Sequence, residues 1–150
     1  MSRLRLPFAV TLALLATTTP VLAQEPSGVG RIKVASGTAY VVRQGATIAA
    51  QSGQVLFETD SLKTGDDGRI GVTLKDDTRV SIGPSSELTL QRFVYEPGRG
   101  SFSMILQFVR GVAAYVSGRM AKLAPESIRL ETPAAIVGVR GTSLAIKVDP

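Results

Sequence analysis

The sequence predicts a single all-β domain of many short, mostly antiparallel strands, arranged as a β-roll, a sandwich or a short β-solenoid. Apolar and polar residues alternate over short stretches, with the period of a half-buried strand. Clusters of glycine, proline and aspartate separate these stretches. After residue 23, no segment keeps the spacing of an amphipathic helix. The chain has 150 residues, 44% of them hydrophobic, which is enough apolar material for one core.

Residues 1–23 have the layout of a cleaved secretory signal peptide. Arg3 and Arg5 form a positively charged start. The apolar stretch at 6–16 is shorter than the ~20 residues that span a bilayer, and small residues precede a cut after Ala23. The alternative interpretation is an uncleaved membrane anchor.

The predicted cut divides the chain into three parts. The signal peptide is followed by a polar leader at 24–30 and a β domain at 31–150. We therefore expect export to a bacterial periplasm, with no transmembrane segment in the mature chain.

Strands are predicted wherever this alternation occurs between turn residues. The clearest case is 69–75, in which Ile70, Val72 and Leu74 point to one face. Short apolar runs bounded by turn residues complete the set. In chain order, the predicted strands are 37–43, 54–57, 69–75, 78–83, 87–93, 101–109, 112–117, 127–131, 135–139 and 143–148.

The turns between these strands have explicit chemistry. Asp76 and Asp77 lie between two alternating segments and predict a hairpin. Gly111 follows an arginine between two apolar runs and predicts a strand break. Residues 118–125 are more typical of a loop than of a helical turn.

Composition excludes several kinds of enzyme. The chain has no histidine and no cysteine, so it has no imidazole base, thiol nucleophile, disulfide or cysteine-bound zinc. No phosphate-binding loop or nucleophile elbow is present. Ser143 and Lys147 would lie about 13 Å apart on one strand, too far for proton transfer. We predict that the protein is not an enzyme and has no cofactor.

Several aspartates raise the question of a calcium site, because hard cations bind clustered carboxylates. Their spacing does not match an EF-hand loop, and each lies beside residues that favour turns. We therefore predict structural turn residues and no metal site. The aspartates concerned are Asp60, Asp66, Asp67, Asp76 and Asp77.

The order of the motifs resembles the FecR domain, a periplasmic β module named after an iron-citrate regulator. The resemblance covers about residues 30–148. Its most specific part is TPAAIVGVRGT at 132–142, followed by DSLKTG at 60–65. The resemblance implies an exported signalling or sensing module that binds a protein of the cell envelope.

The sequence departs from the family pattern at two places. Asp77 stands where the family usually has glycine after the hairpin aspartate. Family members usually continue beyond the final motif with another strand pair, whereas this sequence stops at Pro150. The family's regulators also have a cytoplasmic anti-sigma segment and a membrane span, so the resemblance implies only the exported module here.

The candidate binding residues are Arg140, Gly141, Thr142, Ser143 and Ile146. In one interpretation, an exposed Arg140 presents its guanidinium to an acidic group of a partner. In the other, these residues form a turn, and the arginine pairs locally with a carboxylate such as that of Glu131. The strand at 143–148 is expected at an open sheet edge, where a partner could add a strand.

An alternative function is a structural envelope protein that contacts cell-wall polysaccharide. Such binding usually needs an aromatic platform, and the only tyrosines are Tyr40, Tyr95 and Tyr115. Nucleic acid is not an expected partner. The formal net charge is +5, but the basic residues are scattered without aromatic–basic clusters.

Overall fold

The computed structural model describes residues 19–23, 27–141 and 143–149. The predicted all-β class is confirmed, because strands dominate this part of the chain. Its helical segments are α1 (Met120–Leu123) and two single 3-10 turns, Pro97–Arg99 and Pro125–Ser127. The strands are β1 (Gly30–Ser36), β2 (Ala39–Arg43), β3 (Ala46–Ala49), β4 (Val55–Leu56), β5 (Ser61–Thr64), β6 (Arg69–Leu74), β7 (Arg79–Ile82), β8 (Glu87–Glu96), β9 (Ser101–Val116), β10 (Ile128–Glu131), β11 (Ile136–Gly138) and β12 (Ser143–Val148).

The long strand β9 organises the sheet. Its first half pairs with β8 on one side and β10 on the other. Its second half pairs with β7 and β12. The remaining strands extend outward in the orders β8–β5–β2–β3, β7–β6–β1–β4 and β10–β11. All of these pairings are antiparallel except β9–β10, and the sheet curls into a half-barrel.

The prediction of two strands at 101–109 and 112–117 was wrong, because β9 runs through both segments without interruption. Gly111 has a φ of +94°, and a Cβ at this position would overlap Ser86. The Ser86 hydroxyl accepts a bond from the Val112 N–H at 2.9 Å and donates one to the Val112 carbonyl at 3.2 Å. The predicted break is therefore a bend, which the Ser86 hydroxyl supports.

Residues 118–125 were predicted as a loop, but they contain the one-turn helix α1. The buried Asp76 explains this difference. Its backbone carbonyl accepts the Arg119 N–H, and its carboxylate accepts the Met120 N–H at 3.3 Å. A carboxylate at the start of a helix satisfies N–H groups that would otherwise lack partners.

Three observed strands lie outside the predicted set, and each has a local reason. In β1, a bulge between Ile32 and Val34 interrupts the alternation. All four residues of β3 are exposed, so this strand has no buried face to produce a clear alternation. In β5, Leu62 is the only large apolar residue.

The Asp76–Asp77 turn joins β6 and β7 as the predicted hairpin. Asp77 has a φ of +67°, a conformation that favours glycine and that aspartate tolerates better than most residues. The Thr78 hydroxyl donates to the Asp76 carboxylate at 2.7 Å, which fixes the turn from inside.

The core lies on the inner face of the curled sheet. Met104, Leu106 and Phe108 of β9 are fully buried there, and Met120 of α1 packs in the same cluster. Among the described residues, no helix is long and apolar enough to span a membrane. Most of the predicted signal peptide, residues 1–18, lies outside the described part.

Candidate functional site

The predicted binding residues lie at what we call the C-terminal edge, formed by β11, β12 and the connection at 139–141. β10 runs parallel to β9, and β11 pairs with β10 in the antiparallel direction. The Thr132 hydroxyl holds the intervening turn by accepting the Ala135 N–H at 3.1 Å. Among the described strands, β11 pairs only with β10, and β12 only with β9. Each strand therefore has one edge without a neighbour in this part of the chain.

The connection between β11 and β12 is anchored at both ends. Val139 is buried, while Arg140 is exposed. Gly141 has a φ of +144°, a conformation that favours glycine, and its carbonyl accepts the Ser117 hydroxyl at 2.6 Å. Thr142 lies outside the described residues.

Arg140 lies on a shallow cavity of about 440 Å³, which Arg129, Glu126 and Ile136 also line. Within the described part of the chain, Arg140 makes no ion pair with Glu131 or any other carboxylate. The side chain of Ile136 is 68% exposed beside it. Two guanidinium groups beside an apolar side chain can recognise a carboxylate attached to an apolar segment.

The residues of β12 divide between two faces. Ser143, Ala145 and Lys147 are exposed, whereas Leu144 and Ile146 are half-buried against the core. The side chain of Ile146 points toward the interior, and its backbone pairs with Ala113 of β9. Val112 directs its N–H and C=O to Ser86 and Gly83 on the other side of β9. Because backbone groups alternate in direction along a strand, the N–H and C=O groups of β12 that face its open edge are those of Ser143, Ala145 and Lys147. Ser143 pairs with Val116 at the start of the strand.

An ion pair between the half-buried Arg43 and the buried Asp60 was missed by the sequence reasoning. The guanidinium donates to both carboxylate oxygens, from Nε at 2.9 Å and from Nη2 at 2.7 Å. Asp60 is only 1% exposed, and Arg43 lies 4.6 Å from the centre of the Phe57 ring. The hydrogen bond to Asp60 raises the pKa of Arg43. This geometry fixes the conformation of the segment before β5. The two charges neutralise each other.

The other aspartates also have local partners. Asp66 accepts the Ser85 hydroxyl, and Asp77 pairs with Arg119 at 3.0 Å. Asp67 accepts the Thr38 N–H, which lowers the pKa of its carboxyl. Among the described residues, no three acidic groups come together as a metal site.

The described aromatic side chains form no common exposed platform. Tyr115 is 1% exposed and lies inside the core. Tyr95 packs on Phe102 with the ring centroids 6.0 Å apart, and Tyr40 lies on β2, away from both in the strand order. Nothing in this arrangement favours stacking on a sugar ring.

Comparison with known proteins identifies a family. The model of a family described as FecR protein matches residues 60–150. No curated protein and no solved structure matches the chain. The matched region begins at the buried Asp60 and includes every strand from β5 to β12. It thus contains the whole C-terminal edge.

Proposed function

The chain belongs to the FecR protein family, and from this premise we propose that it is a non-catalytic, exported module that binds a partner protein of the cell envelope through the C-terminal edge. The FecR domain is a signalling and regulatory domain. The periplasmic location rests on the signal-peptide pattern of residues 1–23. Arg140, Gly141, Thr142, Ser143 and Ile146 belong to the proposed contact.

The observation that carries this proposal is the edge position of β12. A strand with one unpaired edge presents a row of backbone N–H and C=O groups, to which an extended segment of another protein can add. Backbone bonds would provide affinity. The exposed Arg140 and Ile136 beside the edge would select an acidic and apolar segment.

Ile146→Pro tests this proposal, because proline removes the Ile146 N–H from the β9–β12 ladder and so disrupts the strand whose open edge the partner would use. The full chain would be produced in bacteria with an affinity tag at the exposed turn around Gly98, where a Cβ would meet no atom within 4 Å. After cross-linking and purification, we expect one envelope protein with the original chain and none with Ile146→Pro.

Two variants distinguish the loss of binding at the β12 edge from a loss caused by misfolding. Ile146→Ala keeps the backbone donor and should retain the partner. Thr47→Pro places proline in β3, an edge strand at the far end of the sheet, and should retain it too. Circular dichroism checks the fold of each variant. Equal loss of the partner in Thr47→Pro or Ile146→Ala would overturn the assignment to β12.

A surface variant covers the case in which Ile146→Pro does not fold. Arg140→Glu changes only an exposed side chain and reverses its charge. We expect roughly tenfold weaker capture, because an acidic group on the partner would then face a like charge. Undiminished capture by this folded variant would argue against a contact at Arg140.

A further inference from the structure

A row of small side chains crosses the solvent-facing side of the sheet. Val34 of β1 is opposite Gly71 of β6, which is opposite Ser81 of β7. Ser81 is opposite Ala114 of β9, which is opposite Ala145 of β12. The small-residue row, Val34–Gly71–Ser81–Ala114–Ala145, therefore runs across five neighbouring strands.

An open groove of about 530 Å³ lies over the first four members of this row. Arg69, Val112 and Pro84 form part of its wall. With strands about 4.8 Å apart, the five-strand row is about 19 Å long. An extended peptide of about six residues has this length.

The fold does not require a glycine at position 71. A Cβ at this position would meet nothing closer than 3.7 Å, and the residue does not have a positive φ. A glycine inside a strand costs roughly 0.5–1 kcal/mol relative to alanine. Such a glycine often marks a place where a ligand or another backbone approaches closely.

The rows on either side of the groove are basic. Arg31 and Arg79 lie on one side, in register with Thr73 between them. Arg69 and Lys147 lie on the other side, near the ends of β6 and β12, and Lys147 pairs with Asp149 at 3.2 Å. Arg69 and Arg79 are exposed and make no ion pair with any described residue.

We propose that this groove binds an extended acidic peptide segment of another protein. Unpaired arginines on opposite sides would bind carboxylates that alternate along the peptide, while the small-residue row lets its backbone lie close to the sheet. Among the described residues, no aromatic ring lines the groove, which disfavours sugars and nucleobases. A second copy would present a like charge. The groove lies over β1, β6, β7 and β9, whereas the proposed function uses the unpaired backbone edge of β12, so the inference goes beyond the proposed function.

The test is a selection of random heptapeptides displayed on phage against the full, folded chain. We expect enriched sequences to contain two or more Asp or Glu residues. A synthetic, fluorescein-labelled copy of the most enriched peptide is then measured by fluorescence anisotropy. Gly71→Val should weaken its binding at least tenfold by filling the groove, whereas Arg140→Glu should leave it unchanged.

The stability of Gly71→Val and the binding of two arginine variants distinguish a lost binding site from a misfolded variant. Gly71→Val should melt no lower than the original chain, because valine favours strands and the site has room for a Cβ. If that variant misfolds, Arg69→Gln and Arg79→Gln replace it, each with an expected loss of about tenfold. A library without acidic enrichment, or binding that none of these changes weakens, would overturn the proposal. Binding of alginate alone, lost in Gly71→Val, would overturn it in favour of an acidic polysaccharide.

Discussion

Tyr115 has the one side-chain polar atom that is buried without a hydrogen-bond partner among the described residues. The phenol lies in the core with an exposed fraction of 1%. Burial is the largest influence on this group, and it raises the pKa of the phenol. The ring fills core volume, while burial of the hydroxyl adds a desolvation cost that the neighbouring Ser117 and Thr78 side chains offset only in part.

Replacing Tyr115 by phenylalanine should therefore leave stability unchanged or raise it by up to about 1 kcal/mol. The unfolded chain releases the phenolic proton at about pH 10, and the folded chain only at higher pH. The contribution of the neutral phenol is thus complete below pH 10 and is lost as pH rises through the folded pKa. Urea unfolding of both chains at pH 7 and above pH 10 measures these effects. A cost above about 1 kcal/mol at pH 7 would mean that the hydroxyl is bonded after all.

At the residue scale, the sequence predicted the roles of single turn residues better than it predicted contacts between distant side chains. It placed Asp60 in a turn, but it did not find Arg43, which lies 17 positions away in the chain. Bidentate pairing depends on where two separate strands are brought together, and no local pattern encodes that distance. By contrast, the Asp76–Asp77 hairpin depends on adjacent residues and was predicted.

At the scale of elements, Gly111 marks the point at which β9 changes neighbours. Gly111 follows the segment that pairs with β8 and precedes the segment that pairs with β7. Its positive φ and its contact with Ser86 change the course of the strand while the ladder continues. A glycine beside an arginine is a local signal for a break, and only the neighbouring strands reveal that pairing resumes at once.

Gly111→Ala should cost at least about 2 kcal/mol of stability, because alanine resists this φ and its Cβ would overlap Ser86. Gly71→Ala is the matched control within a strand. It should be neutral or stabilising by roughly 0.5–1 kcal/mol, since its Cβ has space. Urea unfolding measures both. Equal stability of Gly111→Ala and the original chain would show that the bend does not depend on glycine.

At the scale of the whole molecule, β9 is central and several strands lie at edges. β9 has a neighbour on each side over 104–107 and 113–116, whereas β3, β11 and β12 each pair with one described strand. The same topology would leave one edge of β12 available to a partner, whereas the middle of β9 lies between other strands. The central strand should therefore protect its amides from hydrogen exchange best, whereas the edge strands are the ones that could bind a partner.

Hydrogen exchange should follow this topology. We expect the amides of β9 around Leu106 to exchange slowest, and those of β3 and β11 to exchange at least tenfold faster. Mass spectrometry of the folded chain after timed exposure to heavy water measures these rates. Equal exchange in β3 and β9 would contradict the central position of β9. Slower exchange confined to β12 after a partner is added would support strand addition there.

The sequence alone determined the all-β class, most of the strands and the family resemblance. These follow from local features: alternation with a period of two, turn residues between strands, and the order of short motifs. The sequence also identified the segment that became the C-terminal edge, from Arg140 to Ile146. The use of those residues in binding stays a prediction.

Only the tertiary structure decided which strands are neighbours. Val34, Gly71, Ser81, Ala114 and Ala145 are far apart in the chain, and they form one row because four ladders hold them in register. A shift of one residue in any ladder would turn that strand's small side chain to the other face. Register is set by hydrogen bonds between distant segments and by burial of one face. For this reason the groove, the bend at Gly111 and the Arg43–Asp60 pair could not be derived from local pattern.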